Sequence, residues 1–537
     1  MMKPKLVLYY VAVAALLLIA AFSSLRLLNL DSVNYISIAQ LYADGHWKEA
    51  VNGYWSPLFS WLLVPFVKLG IDGQVASRIL MILFALGNLA LGHRLVRKYA
   101  ADKGTRAATI IYHLAMVPLL IVAVRGVITP DLLTVFFVLS LLTVLTGAAR
   151  RKDRSRRTLV FIGLLAAAGY FAKAFLLPFF VVMGAAWFFA LGEGGLTARF
   201  TDRLKRFGLV LAAFAITILP WVAALSLKYE HATTGNSGEY SLAYIGPNNV
   251  GHPGRNGLLS PPHDFSLGPM EDPSTHPYLP WSPLQSREDF EYYVDYLVNQ
   301  NFEAVNRVLT TLSPYLLGVL LVLVGLLVAG KVDRRQRDFL TLIALMSLVY
   351  LSGYYALHVE GGGRYLWPVL VLSTLVTSIY AGTWYVRCQG RPRKILAILL
   401  IIALVFPAYR NLYVHDKERG YSEELSLYQA GQFVKERVEP RSRFASNVLR
   451  ASTRISYYAN QLSYGTTGQG VTLKDPGTLK ALRDYGVEYF FYVDHPLLDN
   501  DEEGLSGFEV IGTTHVNFAD HRSKFPGGPH KAYLIKL

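Results

Sequence analysis

The sequence predicts a polytopic α-helical membrane protein with about eleven transmembrane helices and a small C-terminal α/β domain. Three observations carry this. Of 537 residues, 53% are hydrophobic and only 17% are charged, too apolar a balance for a soluble chain of this length. Apolar runs of roughly 16 to 23 residues recur, each about long enough to cross ~30 Å of hydrocarbon at 1.5 Å per residue. The basic residues gather in alternate connecting segments, as topology requires.

The apolar runs place spans at 6–28, 77–97, 107–124, 132–149, 158–173, 175–192, 207–226, 312–330, 338–356, 366–386 and 394–412. Lys3 and Lys5 before the first run resemble a signal peptide. The run reads instead as an uncleaved first helix, because cleavage near Ser23 would strip the anchor beside Asp31. Residues 57–70 are apolar but too short to span, and suit a re-entrant or interfacial helix.

The net charge is +14, which in a soluble protein would suggest nucleic acid. Its distribution argues otherwise. Lys3 and Lys5 form one group. Arg94, Arg97, Lys98, Lys103 and Arg106 form the next. Arg150, Arg151, Lys152, Arg154, Arg156 and Arg157 follow, then Arg199, Arg203, Lys205 and Arg206. Lys331, Arg334, Arg335 and Arg337, and finally Arg387, Arg391, Arg393 and Lys394, complete the series. The positive-inside rule puts these segments and the N-terminus in the cytoplasm. A single cysteine, Cys388, excludes an internal disulfide framework and a cysteine-based zinc site.

Three segments then face the opposite side: loop one at 29–76, loop two at 227–311, and the tail at 413–537. The tail reads as a domain of ~110 residues. Helical periodicity marks Leu425–Val438, Thr453–Asn460 and Leu479–Tyr485. Strand patterns mark Arg443–Val448, Glu488–Val493, Phe508–Thr514 and Lys531–Leu537. Tyr457 and Tyr458 read as its core. No internal repeat is evident, which weighs against a transporter built from repeated halves.

Ionisable groups at the outer ends of spans are functional candidates, since a charge at the membrane edge is costly without a role or a partner. Asp31 closes the first span and Arg78 opens the second. Arg125, Asp131, Lys173, His358, Glu360 and Arg364 lie in the short outer connections. Taken singly, each has a structural alternative in snorkelling or pairing. As a set, cations facing an acid suit an anionic lipid headgroup. Arginine grips phosphate oxygens in a fork and lysine adds a point charge. Both stabilise charge on a departing phosphate, while Asp31 is placed to take a proton from an acceptor hydroxyl. No Gly-rich loop followed by Lys-Ser or Lys-Thr signals a soluble nucleotide. Tyr35, His46, Tyr54, Trp55, His358 and Glu360 are candidates for sugar or acceptor contacts, although for Trp47, Tyr54 and Trp55 a place in the interfacial belt is the competing reading.

The same residues resemble a known family. Asp31-Ser32-Val33-Asn34-Tyr35, Ala39-Gln40-Leu41-Tyr42-Ala43-Asp44-Gly45-His46-Trp47 and Asn52-Gly53-Tyr54-Trp55-Ser56-Pro57-Leu58 resemble the first outer loop of the GT-C membrane glycosyltransferases of the protein O-mannosyltransferase and aminoarabinose transferase superfamily. Ala76-Ser77-Arg78, Thr129-Pro130-Asp131, Gly169-Tyr170-Phe171-Ala172-Lys173 and Arg364-Tyr365-Leu366-Trp367-Pro368 resemble four later motifs, in order, over residues 1–413. The resemblance implies a transmembrane GT-C domain at 1–413 and a periplasmic α/β domain at 414–537, in a bacterial inner membrane. It implies a polyprenyl-phosphate-linked sugar donor, undecaprenyl by expectation, and inversion at the anomeric carbon. Asp31 would be the base or the acid that orients the acceptor, and Asp131 a supporting carboxylate. Arg78, Lys173 and Arg364, with Arg125 beside them, would meet the carrier phosphate. The acceptor would be a lipid, a glycan or a protein.

The chain also departs from that pattern. Many relatives carry Asp-Glu where this sequence has Asp31-Ser32, so a carboxylate pair is missing there. Aminoarabinose transferases carry a phosphate-binding lysine before the loop-one proline, where Ser56 stands. No ligand spacing among His46, His231, His252, His263 and His276 indicates a metal. Two readings compete with the enzyme: a lipid or polysaccharide flippase, needing ionisable groups at mid-membrane, and a scaffold whose tail binds cell-wall partners.

Overall fold

A computed structural model describes residues 4–100, 102–151, 153–191, 200–249, 252–254, 257–313, 334–357, 363–418, 421–468, 473, 475–494, 505, 507–518 and 528–537. Among these, eight helices are long and apolar enough to cross a membrane. They are α1 (Pro4–Phe22), α5 (Gly73–Tyr99), α6 (Thr105–Gly126), α7 (Asp131–Arg151), α10 (Phe200–Tyr229), α14 (Arg334–Leu357), α15 (Trp367–Arg387) and α16 (Arg391–Glu418). The protein is a multi-pass membrane protein. The expected helices at 158–173 and 175–192 are α8 (Arg156–Ala172) and α9 (Leu176–Ala186), the latter continued by a π-helical turn to Leu191; neither is among the eight. The expected span 312–330 lies outside the described residues.

Two expectations need correction. The first helix ends at Phe22, six residues early, and residues 23–29 form turns and extended chain instead. Loop one is largely helical. It folds as α2 (Leu30–Asp44), the short α3 (Trp47–Ala50) and α4 (Leu58–Lys68), the last being the expected non-spanning helix. Gly45, at φ +90°, stops α2, a left-handed cap that glycine adopts without a Cβ penalty. Asp72 caps α5 by accepting from the amides of Gln74 and Val75.

Small residues set the helix crossings, as expected where no hydrophobic force drives helices together within lipid. A Cβ on Gly382 of α15 would stand 2.3 Å from the backbone nitrogen of Ala108 on α6, and one on Gly163 of α8 would stand 2.5 Å from the Val210 carbonyl of α10. Between α5 and α7, Asn88 donates to the Leu132 carbonyl at 2.8 Å, a polar tie inside the bundle.

Loop two contributes α11 (Ser237–Ile245), α12 (Arg287–Asp295) and α13 (Phe302–Leu312). The C-terminal segment folds as α17 (Tyr421–Lys435), β1 (Arg443–Ser446), α18 (Leu449–Ala459), β2 (Leu462–Thr466), α19 (Pro476–Asp484), β3 (Tyr489–Val493), β4 (Glu509–Phe518) and β5 (Gly528–Lys536). The sheet order is β2-β1-β3-β5-β4. β1 pairs in parallel with β2 and β3, and β5 runs antiparallel to β3 and β4. Strand alternation divides the core: Phe444, Phe491, Val493 and Leu534 pack with Leu427, Val434 and Ile455 of α17 and α18. Ala445, Phe490, Tyr492 and Ile535 pack with Leu482 of α19 on the opposite face. β2 is the element the sequence pattern missed. Its edge receives loop two: Leu258 bridges Gly465, and the Thr466 amide donates to the Gly257 carbonyl at 2.9 Å. Tyr458 is not interior to the tail core; with Tyr457 it packs against the helical bundle.

Because Gly382 meets backbone, its neighbour has no side chain to move aside. Gly382→Val is expected to cost about 3 kcal/mol or more, read as a lower unfolding temperature of the detergent-solubilised protein than for Gly208→Val, where a Cβ meets nothing within 4 Å.

Candidate active site

Four charged side chains meet at the end of the bundle where the basic segments are not. Each stands at a break in helical structure. Asp31 occupies the first turn of α2, and Asp131 the first turn of α7, positions where the helix dipole favours a carboxylate. Lys173 sits in extended conformation just past the C-terminus of α8. Arg364 lies in a single 3-10 turn, Gly363–Leu366, ahead of α15.

The four form a chain of alternating sign. Arg364 Nη2 donates to Asp31 Oδ2, and Arg364 Nε lies 3.3 Å from Asp131 Oδ2. Lys173 Nζ lies 2.6 Å from Asp131 Oδ1. Thr129 donates to Asp131 Oδ2 at 2.7 Å. Asp131 is nearly sealed, with 3% of its side chain exposed, whereas Asp31 keeps 25%, Lys173 23% and Arg364 19%. Asp131 is therefore the internal anchor, and the other three open outwards. Tyr365 completes the group: Lys173 Nζ stands 3.9 Å from its ring centre, a cation–π contact, and its hydroxyl accepts from Arg364 at 3.2 Å.

All five line a cavity of about 380 Å³, together with Tyr35, Tyr54, Trp55, Thr129, Ser237, Ser241 and Tyr354. The size suits a small organic group held by a few polar contacts. Burial pushes the Tyr35 and Tyr54 phenols well up, so both remain protonated donors at neutral pH. Loop two lines the cavity with Thr234, Gly235, Ser237, Gly238 and Ser241, which bear only neutral groups. Sequence reasoning did not single out these residues; the Thr-Thr-Gly-Asn-Ser-Gly run at 233–238 after a span was the available signal.

Loop two also braces loop one. Glu271 is buried, accepts from Ser37 of α2 and from the Leu267 amide at 3.1 Å, and has His263 Nε2 3.6 Å away. Asn52 donates to the Glu271 carbonyl at 2.6 Å and Trp55 Nε1 to the Met270 carbonyl at 3.0 Å. Lys228 pairs with Asp272 at 2.8 Å. Burial pushes the Glu271 carboxyl up from 4.5 and His263 down, so both are driven towards their neutral forms.

Several sequence candidates fall elsewhere. Arg78 is fully buried and spends its guanidinium on backbone carbonyls: Ser24 and Leu27, each at 2.8 Å, together with Val124 and Arg125. Its donors knit the end of α1 to α6, and it does not line the cavity. Arg125 is not part of the lining either. His46 stacks on Phe265 with ring centres 3.7 Å apart, outside the cavity. His358 and Glu360 lie outside the described residues. Ser56, expected only as a departure from a phosphate-binding lysine, accepts from the Ala174 amide at 2.9 Å and pins the break after Lys173. Among the described residues, no group of three or more His, Cys, Asp or Glu is placed to hold a metal ion.

This architecture is the GT-C glycosyltransferase fold. Residues 55–222 match the family model described as dolichyl-phosphate-mannose-protein mannosyltransferase. ArnT from Cupriavidus metallidurans in the apo state superposes with a TM-score of 0.54 at 13% identity, covering 99% of this chain and 97% of that one. The same protein bound to undecaprenyl phosphate gives 0.53 at 12% identity, covering 99% and 98%. The archaeal oligosaccharyltransferase AglB from Archaeoglobus fulgidus, in complex with an inhibitory peptide and a dolichol-phosphate, gives 0.54 at 13% identity, covering 90% of this chain and 69% of that one. No curated protein matches by sequence.

Two outcomes follow from the buried groups. Arg78→Met leaves several enclosed carbonyls without donors, at about 1–3 kcal/mol each. It is expected to lower the unfolding temperature of the detergent-solubilised protein sharply. For Glu271, a raised carboxyl pKa means that the folded state holds its proton more tightly than the unfolded chain. Stability is then fully present below 4.5 and lost as pH rises through the folded value. Glu271→Gln, which cannot ionise, should be the more stable protein at pH 8, with the advantage vanishing towards pH 4.5 in thermal unfolding scans.

Proposed function

We propose that this protein is an integral-membrane glycosyltransferase that moves a sugar from a polyprenyl-phosphate carrier to an acceptor hydroxyl at the outer face of a bacterial inner membrane. The N-terminus is cytoplasmic and the C-terminal domain, 414–537, periplasmic, as the charge pattern of the connecting segments favours. The observation that carries the reading is the Asp31–Arg364–Asp131–Lys173 chain lining one cavity at the membrane edge. ArnT bound to undecaprenyl phosphate and AglB bound to a dolichol-phosphate share the fold, which supports a lipid-phosphate donor here.

The geometry suggests an order of events. Asp31 is engaged by Arg364, and the two cations of the chain are balanced by its two carboxylates. A phosphodiester entering the cavity competes with Asp31 for the Arg364 fork, which matches phosphate oxygens as well as carboxylate. Lys173 and Asp131 stay paired behind it and hold the arginine in place through its Nε edge. The exchange releases Asp31 towards the acceptor. The acceptor oxygen then bonds to the anomeric carbon while the bond from that carbon to the phosphate oxygen breaks. The electron pair goes to the phosphate, and the acceptor proton goes to Asp31. A single displacement inverts the anomeric configuration. The phosphate gains one negative charge in this step, and Arg364 and Lys173 are preorganised to meet it.

The test is to incubate the purified protein with a panel of undecaprenyl-phosphate sugars and membrane extract, and to identify the transferred mass. Asp31→Asn is expected to fold, insert and lose roughly 10²–10⁴ in rate; full turnover by this variant would remove the proposed base. The same variant should bind undecaprenyl phosphate more tightly than wild type, because the competing carboxylate is gone. Arg364→Lys, which keeps the charge but loses the fork, should bind it more weakly.

A further inference from the structure

The segment that leads into Asp31 has no regular structure of its own. Residues 23–29 run from the end of α1 to the start of α2, and their polar groups are claimed from three directions. Arg78 takes the Ser24 and Leu27 carbonyls. The Ile128 amide donates to Asn29 Oδ1 at 3.1 Å. The third claim comes from the C-terminal domain, more than four hundred residues away in sequence. Arg454 Nε donates to the Leu28 carbonyl at 2.7 Å, and the Tyr458 hydroxyl donates to the Arg26 carbonyl at 2.9 Å. Arg26 in return lies on the ring of Tyr428, 3.9 Å from its centre.

The setting of Arg454 is unusual for a surface-domain arginine. Only 8% of its side chain is exposed, and Glu424 meets Nη2 at 2.8 Å while Glu423 lies 3.8 Å from Nη1. Both glutamates sit in the first turn of α17. The guanidinium is thus oriented by its own domain and aims its Nε–H across the interface. Leu28 is the residue before the cap of α2, and Asp31 is three residues further on. The direction of the Leu28 peptide sets where α2 begins, and hence where Asp31 stands relative to Arg364.

We propose that Arg454 is a positioning residue for Asp31: the C-terminal domain is a part of the active site, acting through one arginine–carbonyl contact at the root of α2. The effect on turnover rests on the glycosyl-transfer reading above; the effect on the backbone does not. A planar guanidinium can satisfy two carboxylates and one carbonyl at fixed angles, which an ammonium cannot. Displacement of a reacting group by about 1 Å costs on the order of 10²-fold in rate.

The full-length protein provides the test. Arg454→Met removes the contact, and Arg454→Met with Glu424→Gln also removes a carboxylate left without its partner, should the single variant fold poorly. Hydrogen exchange by mass spectrometry should show faster exchange in peptides covering 23–32, with the β1–β5 strands unchanged. The maximal transfer rate should fall by about ten- to a hundredfold, with the donor KM within about twofold. Asp31→Asn combined with Arg454→Met should be no slower than Asp31→Asn alone, because both act on the same group. Arg454→Lys should recover part of the lost rate. Wild-type exchange at 23–32, a loss that multiplies in full with Asp31→Asn, or loosening throughout the tail would each overturn the proposal. If the wild-type protein itself transfers no sugar, the functional reading fails, while the exchange measurement still decides whether Arg454 orders residues 23–32.

Discussion

Charge neutrality around the enclosed Asp131 carboxylate is the constraint on which the rest of the structure depends. An isolated carboxylate or guanidinium removed from water is strongly unfavourable, and it becomes tolerable only when paired and hydrogen-bonded. Asp131, almost fully enclosed, is the group that most needs partners. It has three: Lys173, Arg364 and Thr129. Each partner must arrive from a different part of the chain, and each arrival dictates a local break in helical structure. The helices α8 and α9 are interrupted at Lys173, and a 3-10 turn precedes α15 at Arg364. The bundle is irregular where its chemistry is concentrated and regular elsewhere, where glycines such as Gly382 allow backbones to touch.

Around that centre, the outer segments serve as a frame. Loop two reaches loop one through Asn52, Trp55 and Ser37, and the C-terminal domain reaches the root of α2 through Arg454 and Tyr458. Asp31 stands where these converge. It is the most exposed of the four charged groups and meets the chain through Arg364.

Much of this was legible in the sequence. Composition and the alternation of basic segments sufficed for the membrane class, because lipid imposes length and polarity rules that a chain cannot evade. Asp31, Asp131, Lys173 and Arg364 stood out because charge at a span end is rare enough to notice. What separated Arg78 from them was invisible: a membrane-edge arginine that binds phosphate and one that ties carbonyls have the same neighbours in sequence. The neutral wall from Thr234 to Ser241 was missed for the opposite reason, since serines and glycines in a loop look like turn chemistry. β2 escaped because five residues containing a glycine, Leu462–Thr466, carry too little alternation to register as a strand. Tyr457 and Tyr458 read from the sequence as tail core, yet they pack against the helical bundle, because a sequence pattern marks burial without saying against what.

The strand-like pairing of residues 257–259 with the edge of β2 has a consequence for inheritance. A sheet edge completed by a loop from another part of the chain cannot be transplanted by itself. The heritable module comprises the tail together with the middle of loop two, and a chimera that exchanges one without the other would expose an unsatisfied strand edge, the surface on which chains aggregate. Recombination between relatives of this protein would therefore be expected to preserve the two segments as a matched pair, even though about 150 residues lie between them.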